Sequence, residues 1–427
     1  MSWRGLYCQH AGTRAHDRTA FREAAAAFEQ ALQALAHLPE PGDTRGLAIE
    51  LRVALGNALT ALGEHGRRLT LLGEAEMLAR ALADGARLGR VLAETAQVLR
   101  VTGDPDGAIA AGQQALALAA ALGDSAVQGQ ASHRLGQAYH AIGDFGRAAA
   151  LLRQNVEAAD KKSGTSSTAM WLQSQAWLAR TLSELGAFAE GRRHGEEALR
   201  LATLAGRGIT PIVAHGCLGH LSLAQGELAH TIRVLEPGLA LCRTSGYRGG
   251  WLRAIVAALG SAYALQGRLA EGRALLEEGL NESLRTGVLR NHSLFVAWLS
   301  EVCRLEGRGE EAWQHAHQAL DLARQQKARG DEALALHQLG VVHAHANPPD
   351  PAQAEAHYQQ ALALAEELGM RPLVAHCHRD LGTLYAQLGQ REQARTELSI
   401  AIEMYQSMEM TFWLPETEAT LAQVDAQ

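Results

Sequence analysis

Histidine is the residue type in this chain best suited to chemistry: 19 of the 427 residues are His. Three pairs are spaced by two, His315/His317, His343/His345 and His376/His378, the last around Cys377. Imidazole is a common zinc ligand, so close pairs raise the question of a metal. On a helix, however, residues two apart point to roughly opposite sides. One pair therefore cannot chelate from a single face. A metal would need ligands from neighbouring segments, and packed or solvated histidines are the simpler reading. No metal and no cofactor is expected.

Other reaction machinery is missing from the sequence. The three lysines are Lys161, Lys162 and Lys327, and none follows a glycine, so G-x-x-x-x-G-K-[ST] does not occur. Neither G-x-S-x-G nor H-E-x-x-H is found. The cysteines Cys8, Cys217, Cys242, Cys303 and Cys377 are far apart and odd in number, without C-x-x-C. They read as small buried thiols in a reducing compartment, not as a disulfide framework. The chain is expected not to be an enzyme.

A repeat positions these residues. Glycines recur at Gly63, Gly103, Gly143, Gly186, Gly226, Gly267, Gly307 and Gly389, with gaps of 40, 40, 43, 40, 41, 40 and 82. The last gap is two periods, and the skipped turn falls at Asn347-Pro348-Pro349-Asp350. The frame around one turn is Leu135-Gly136, Tyr139, Gly143 and Ala148. It returns as Leu259-Gly260, Tyr263, Gly267, and as Leu381-Gly382, Tyr385, Gly389, Ala394. In Leu339-Gly340, His343 takes the Tyr place and Asn347 the turn-glycine place, where a left-handed helix end is expected. The mid-helix glycine costs roughly 1 kcal/mol of helix propensity against Ala. Its recurrence predicts close helix approach.

Composition agrees. Ala and Leu dominate, Pro numbers 10, and aromatics make up 5%. That favours helices over strands. The net charge of −7 argues against a nucleic-acid partner. No apolar run approaches a membrane span, and Met1 to Gly12 lacks the order of a signal peptide. A soluble, cytoplasmic protein with no membrane partner is expected.

The L-G-x-x-Y-x-x-x-G frame resembles the tetratricopeptide repeat (TPR), over nearly the whole chain. The period of about 40 exceeds the usual length of about 34, so the helices are lengthened. The resemblance implies an all-α, right-handed superhelical solenoid of about ten helix pairs over residues 1–410. An irregular loop at 159–169 interrupts it, and a capping helix at 411–427 closes it. Within that loop Lys161-Lys-Ser-Gly-Thr-Ser-Ser-Thr168 reads as a solvated connection, with a binding or modification loop as the other reading.

A second resemblance is carried by Arg371-Pro-Leu-Val-Ala-His-Cys-His, Leu381-Gly-Thr-Leu-Tyr, Met410-Thr-Phe-Trp-Leu and Leu135-Gly-Gln-Ala-Tyr-His-Ala-Ile-Gly-Asp. These look like the C-terminal repeat tail of bacterial adenylate/guanylate cyclase–ATPase regulatory proteins. The residues that would perform those activities are not in this chain, so only a regulatory or sensor tail is implied.

In TPR arrays the first helix of each pair lines a concave groove. Carried over by frame, the groove comprises Arg100, Gln137, His140, Arg180, Glu184, His220, Glu301, Arg304, His337, His376 and Arg379. Arg90, Gln97, Gln130, His133 and His345 fall in the same frame, and Ala254, Ala257, Ser261 and Ala264 form a small-residue stretch. The implied function is a protein–protein interaction scaffold for peptides or helices; the alternative is the sensor tail. Arg180, Glu184, Glu301, Arg304 and Arg379 would act as polar clamps. His140, His220, His337 and His376 would make affinity vary between about pH 5.5 and 7.5.

Overall fold

The computed structural model describes residues 3–36, 44–159, 165–206 and 208–426. These contain 21 α-helices and no strand. Ten antiparallel pairs follow in order. The first five are α1 (Trp3–Asp17) with α2 (Phe21–Ala36), α3 (Thr44–Leu62) with α4 (His65–Ala81), α5 (Gly85–Thr102) with α6 (Pro105–Leu122), α7 (Ser125–Ile142) with α8 (Phe145–Ala159), and α9 (Thr165–Glu184) with α10 (Phe188–Ala205). The next five are α11 (Thr210–Gln225) with α12 (Leu228–Thr244), α13 (Gly250–Leu265) with α14 (Leu269–Thr286), α15 (His292–Leu305) with α16 (Gly309–Gln325), α17 (Arg329–Ala344) with α18 (Pro351–Leu368), and α19 (Arg371–Gln387) with α20 (Arg391–Ser407). A single helix, α21 (Leu414–Ala426), ends the chain against α20. The fold is an all-α superhelical repeat solenoid.

Local chemistry sets the boundaries. Asp84, Asp104, Asp124 and Asp350 cap α5, α6, α7 and α18 by accepting backbone N–H groups. Pro105 and Pro351 stand in the first turn, where no donor is lost. The turn glycine Gly103 ends α5 at φ 96°, a conformation that a Cβ would strain. Asn347 does not take the left-handed role expected of it: α17 ends at Ala344, and the Asp350 N–H closes the turn on the His343 carbonyl at 3.0 Å. Pro348 follows Asn347, and a residue before proline is pushed towards extended backbone. The irregular loop expected over 159–169 is shorter. α8 runs to Ala159 and α9 starts at Thr165, with 160–164 outside the described residues.

The frame glycines mark helix crossings. A Cβ on Gly260 would lie 2.6 Å from the Gly272 carbonyl oxygen, and one on Gly382 would lie 2.7 Å from Leu398 Cγ. The frame tyrosines tie repeats together. Tyr263 donates to Glu236 at 2.7 Å, and Tyr385 to Glu355 at 2.7 Å, each on the second helix of the preceding pair. On α18, Ala354, Tyr358, Ala361 and Ala365 are buried at spacings of four, three and four.

The superhelix closes on itself. Ala61 meets Arg248, Val101 meets Leu289, Gly143 meets Gly330, and Gly226 meets Phe412. Each pair is 186 to 188 residues apart, between four and five periods. The Arg248 N–H donates to the Ala61 carbonyl at 2.8 Å. The Leu289 and Arg290 N–H groups share the Val101 carbonyl at 3.2 and 3.4 Å. Turn glycines of the earlier repeats, such as Gly143 and Gly226, are pressed against the next superhelical turn, whereas Gly267, Gly307 and Gly389 have nothing within 4 Å of a built Cβ. The concave face is thereby narrowed to a partly open cavity. Among the described residues no helix is long and apolar enough to cross a membrane.

Candidate functional site

The concave face holds a partly open cavity of about 820 Å³. Its walls are the first helices of successive pairs, α5 through α19, joined by α21. Leu294, Trp298, Glu301 and Leu305 of α15 reach it at spacings of four, three and four, the face of a single helix. Leu334, His337 and Val341 of α17, with His345 just past its end, reach it at spacings of three, four and four.

Of the residues placed in the groove by sequence, Arg100, His140, Arg180, Glu184, His220, Glu301, Arg304, His337, His376 and Arg379 all line this cavity. Gln137 does not. It is buried beside His133, 3.0 Å from the His133 Nε2. Further residues of the same frame also lie away from the cavity. Arg68 pairs with Glu94, which also pairs with Arg134 at 3.3 Å and accepts from Gln130 at 2.5 Å. Gln97 accepts from Arg68 at 3.2 Å, and His133 bonds Ser174 at 2.9 Å. The inner faces of α5 and α7 are thus largely occupied by a buried polar network. In the small-residue stretch, Ser261 and Ala264 reach the cavity, while Ala257 is fully buried in the core.

Pairing decides what the lining can do. Arg180 forms an ion pair with Glu184. Arg304 binds Glu301 with two bonds of 2.9 and 2.7 Å. Arg379 binds Asp380 with two bonds of 2.6 and 3.0 Å, and His337 Nε2 lies 2.7 Å from the same carboxylate. Burial alone would raise the Asp380 carboxyl, but the Arg379 charge and the His337 bond outweigh it and hold it well below the usual carboxylate range. The arginines expected to clamp a partner are therefore already engaged by neighbours three, four or one residue along the chain.

The histidines also differ from expectation. Burial pushes His140, His220 and His376 well below their ordinary value, and Arg180 near the first two and Arg379 near the third push the same way. Burial and the nearby arginines thus oppose the charging that was expected of these three between about pH 5.5 and 7.5. His376 shares a 2.7 Å hydrogen bond with the Tyr405 hydroxyl and meets the edge of Trp413 at 4.6 Å. The i, i+2 pairs go separate ways: His343 stacks on His357, and His378 bonds Glu397. Among the described residues no group of three His, Cys, Asp or Glu side chains could hold a metal ion. The five cysteines are buried free thiols.

Several lining residues were not legible from the helix frame. Arg290 and Asn291 reach the cavity from the α14–α15 connection, placed there by the bonds to Val101. Asp331, in the first turn of α17, accepts from Ser293 at 2.6 Å, and burial raises its carboxyl. Trp298 lies 5.6 Å from the His220 ring. Inter-repeat contacts across a superhelical turn leave no periodic trace in sequence, which is why Arg290 is absent from a frame-based reading.

Residues 349–407 match the family model described as tetratricopeptide repeat. Those residues make up α18, α19 and α20. Among solved structures, the chain is similar to a Rap protein complexed with Competence and Sporulation Factor, at TM-score 0.60 and 12% identity over 86% of this chain and 99% of that one. It is also similar to a Signal Transduction ATPase with Numerous Domains with a tetratricopeptide repeat sensor from Pyrococcus horikoshii. That match has TM-score 0.48 and 13% identity, over 90% of this chain and 55% of that one. At these identities the likeness is one of fold. No curated protein matches the chain.

Proposed function

We propose that the chain is a non-catalytic interaction module that takes up a short segment of a protein or peptide partner in the concave cavity, with α21 closing the C-terminal end of the array. The observation that carries this reading is the continuity of the lining. Consecutive first helices present a mixture of aromatic, aliphatic and polar side chains to one space. Its volume falls within the roughly 300–1,000 Å³ of pockets that bury drug-sized ligands. That suits a few residues of extended chain, not a folded domain. The Rap protein of similar fold was crystallised with Competence and Sporulation Factor, and a bound peptide or protein factor is the same kind of use.

A second reading places the module as the sensor tail of a larger cyclase or ATPase regulator. It is favoured by one observation: Pro372, Leu373, His376, Phe412 and Trp413, which lie in the stretches resembling such tails, all line the cavity. An in-frame catalytic domain in the gene upstream of Met1 would establish it.

The test of the cavity is a partner captured by pull-down, then calorimetry on Trp298→Ala, inside the cavity, and Trp313→Ala, an exposed tryptophan on α16. Removing a buried aromatic anchor costs about tenfold or more in affinity. Equal affinities for the two variants would move the binding surface outside the cavity.

A further inference from the structure

Two arginines in the cavity wall have no carboxylate of their own. Arg100 on α5 is 5% exposed, and its Nε and Nη1 atoms are buried without any hydrogen-bond partner. Arg290 approaches from the next superhelical turn. Its backbone N–H donates to the carbonyl of Val101, the residue after Arg100, and its side chain donates to the Asn291 side-chain oxygen at 2.8 Å. Both guanidinium carbons lie 5.3 Å from the Trp177 ring centroid, so one aromatic ring carries two cations. Arg253 is fully buried behind them and donates to the Ser283 hydroxyl, not to a carboxylate.

The surroundings do not neutralise this cluster. Burial lowers both arginines, and after burial the largest effect on Arg100 is the neighbouring charge of Arg290. The nearby Glu184 is engaged by Arg180. Asp331 accepts from Ser293 and is raised by burial; its charge favours that of Arg290, but the two form no ion pair. A buried guanidinium that is neither paired nor fully hydrogen-bonded is destabilising. A fold that brings one such group, Arg100, and the half-buried Arg290 to the same ring, both lining a cavity, leaves donors without an acceptor. A guanidinium matches one group especially well: a planar carboxylate, gripped through paired N–H donors.

We propose that Arg100 and Arg290 form a receptor for a carboxylate, held where two superhelical turns meet beside Trp177. Resting on the cavity reading above, the carboxylate is the C-terminus of the bound peptide or, failing that, a free small organic acid. Because one arginine comes from each turn, the bound anion also ties the turns together, and it stabilises the closed solenoid.

The experiment has two arms, run on wild type, Arg100→Gln, Arg290→Gln and the exposed control Arg200→Gln. In the first, thermal melting is followed with succinate or chloride at matched ionic strength. Succinate is expected to raise the wild-type and control Tm saturably and to leave both cavity variants unmoved. Removing an unpaired buried charge should leave those variants folded, with an unliganded Tm no lower than wild type. In the second, a pool of short peptides lacking Asp and Glu is offered as free acids or as C-terminal amides. Free acids should be retained about tenfold or more better than amides by wild type, with the difference lost in Arg100→Gln. Amides retained as well as acids, with no succinate effect, would overturn the carboxylate receptor and leave the cavity reading standing. Succinate binding through both arginines with no peptide retained would support the receptor, with a free acid as ligand, and would sink the peptide reading. No response to either probe would overturn the receptor.

Discussion

At the end of the cavity formed by α17 and α19, Arg379, Asp380 and His337 satisfy one another, and His376, Tyr405 and Trp413 pack into a hydrogen-bonded aromatic cluster. At the end formed by α5 and the α14–α15 connection, Arg100 and Arg290 share an aromatic ring and form no ion pair with a carboxylate, and two of the Arg100 nitrogens have no hydrogen-bond partner. Residue types are similar at both ends. What separates them is the partner each charge finds, and that separates a structural ion pair from a group free to bind. A paired arginine must first break its bonds to take a ligand, which costs more than a new pair returns. An unpaired one gains from the ligand what the fold withholds.

The sharpest way to break this comparison is to remove one cation from each end. Arg379→Ala leaves the half-buried Asp380 with only His337 against it; breaking a fully buried pair costs about 3–5 kcal/mol, and partial exposure reduces that to about 2–3 kcal/mol. Arg100→Gln removes a charge with no partner. It forfeits a cation–π contact of about 1–2 kcal/mol and relieves a desolvation penalty of several kcal/mol. Urea unfolding should show a large loss for Arg379→Ala and none, or a gain, for Arg100→Gln. Comparable losses would mean that Arg100 has a stabilising partner after all.

A second contrast lies along the seam between superhelical turns. Gly143 and Gly389 both hold positive φ, 87° and 72°. Alanine at either costs roughly 1–2 kcal/mol from backbone strain. At Gly143 the added Cβ would also lie 3.1 Å from the Gly330 nitrogen and 3.3 Å from a Leu368 methyl, whereas at Gly389 it meets open space. Gly143→Ala is therefore expected to lose about 1 kcal/mol more than Gly389→Ala, by the cost of overpacking. Equal melting shifts would show that the turns are not pressed together.

These contrasts also mark how far the sequence could be read. Turn glycines and the Leu-Gly…Tyr frame follow a fixed period, so the helix pairs and the inward positions His220, Glu301 and His337 follow from spacing. The period carries local geometry and nothing else. Arg290 enters the cavity through a contact with Val101 nearly 190 residues away in the chain, which depends on the accumulated pitch of the superhelix. Pairing is hidden for a similar reason. Arg180 and Glu184 sit four apart on one helix, and that spacing suits an ion pair as well as two separate clamps. Gln137 occupies an inward frame position, yet it is buried against His133 one helical turn back on α7. Asn347 shows the same limit at shorter range, since its proline neighbour overrides the turn role that its place in the frame implies.

The smallest effect concerns the histidines shared between the two ends. Burial and nearby arginines oppose the charging of His140 on α7 and of His376 on α19 in the folded protein. Their folded values lie below the unfolded value of 6.5. The unfolded chain then binds more protons than the folded one as pH falls through that value. Stability contributed by each neutral histidine is present above about pH 6.5 and is lost progressively below it, by at most about 1.4 kcal/mol per pH unit for each group. Urea unfolding at steps from pH 7.5 to 5.5 should therefore show a stability that is level at the top and declines below pH 6.5. His140→Gln should reduce the slope of the decline by about one proton. The hydrogen bond from the residue-140 side chain to Thr181, 3.2 Å in the wild type, can be kept by glutamine, so the variant tests charge more than packing. A profile level down to pH 5.5, or a slope that His140→Gln leaves unchanged, would mean that this imidazole charges in the folded protein and that the cavity end near α7 is wetter than its burial implies.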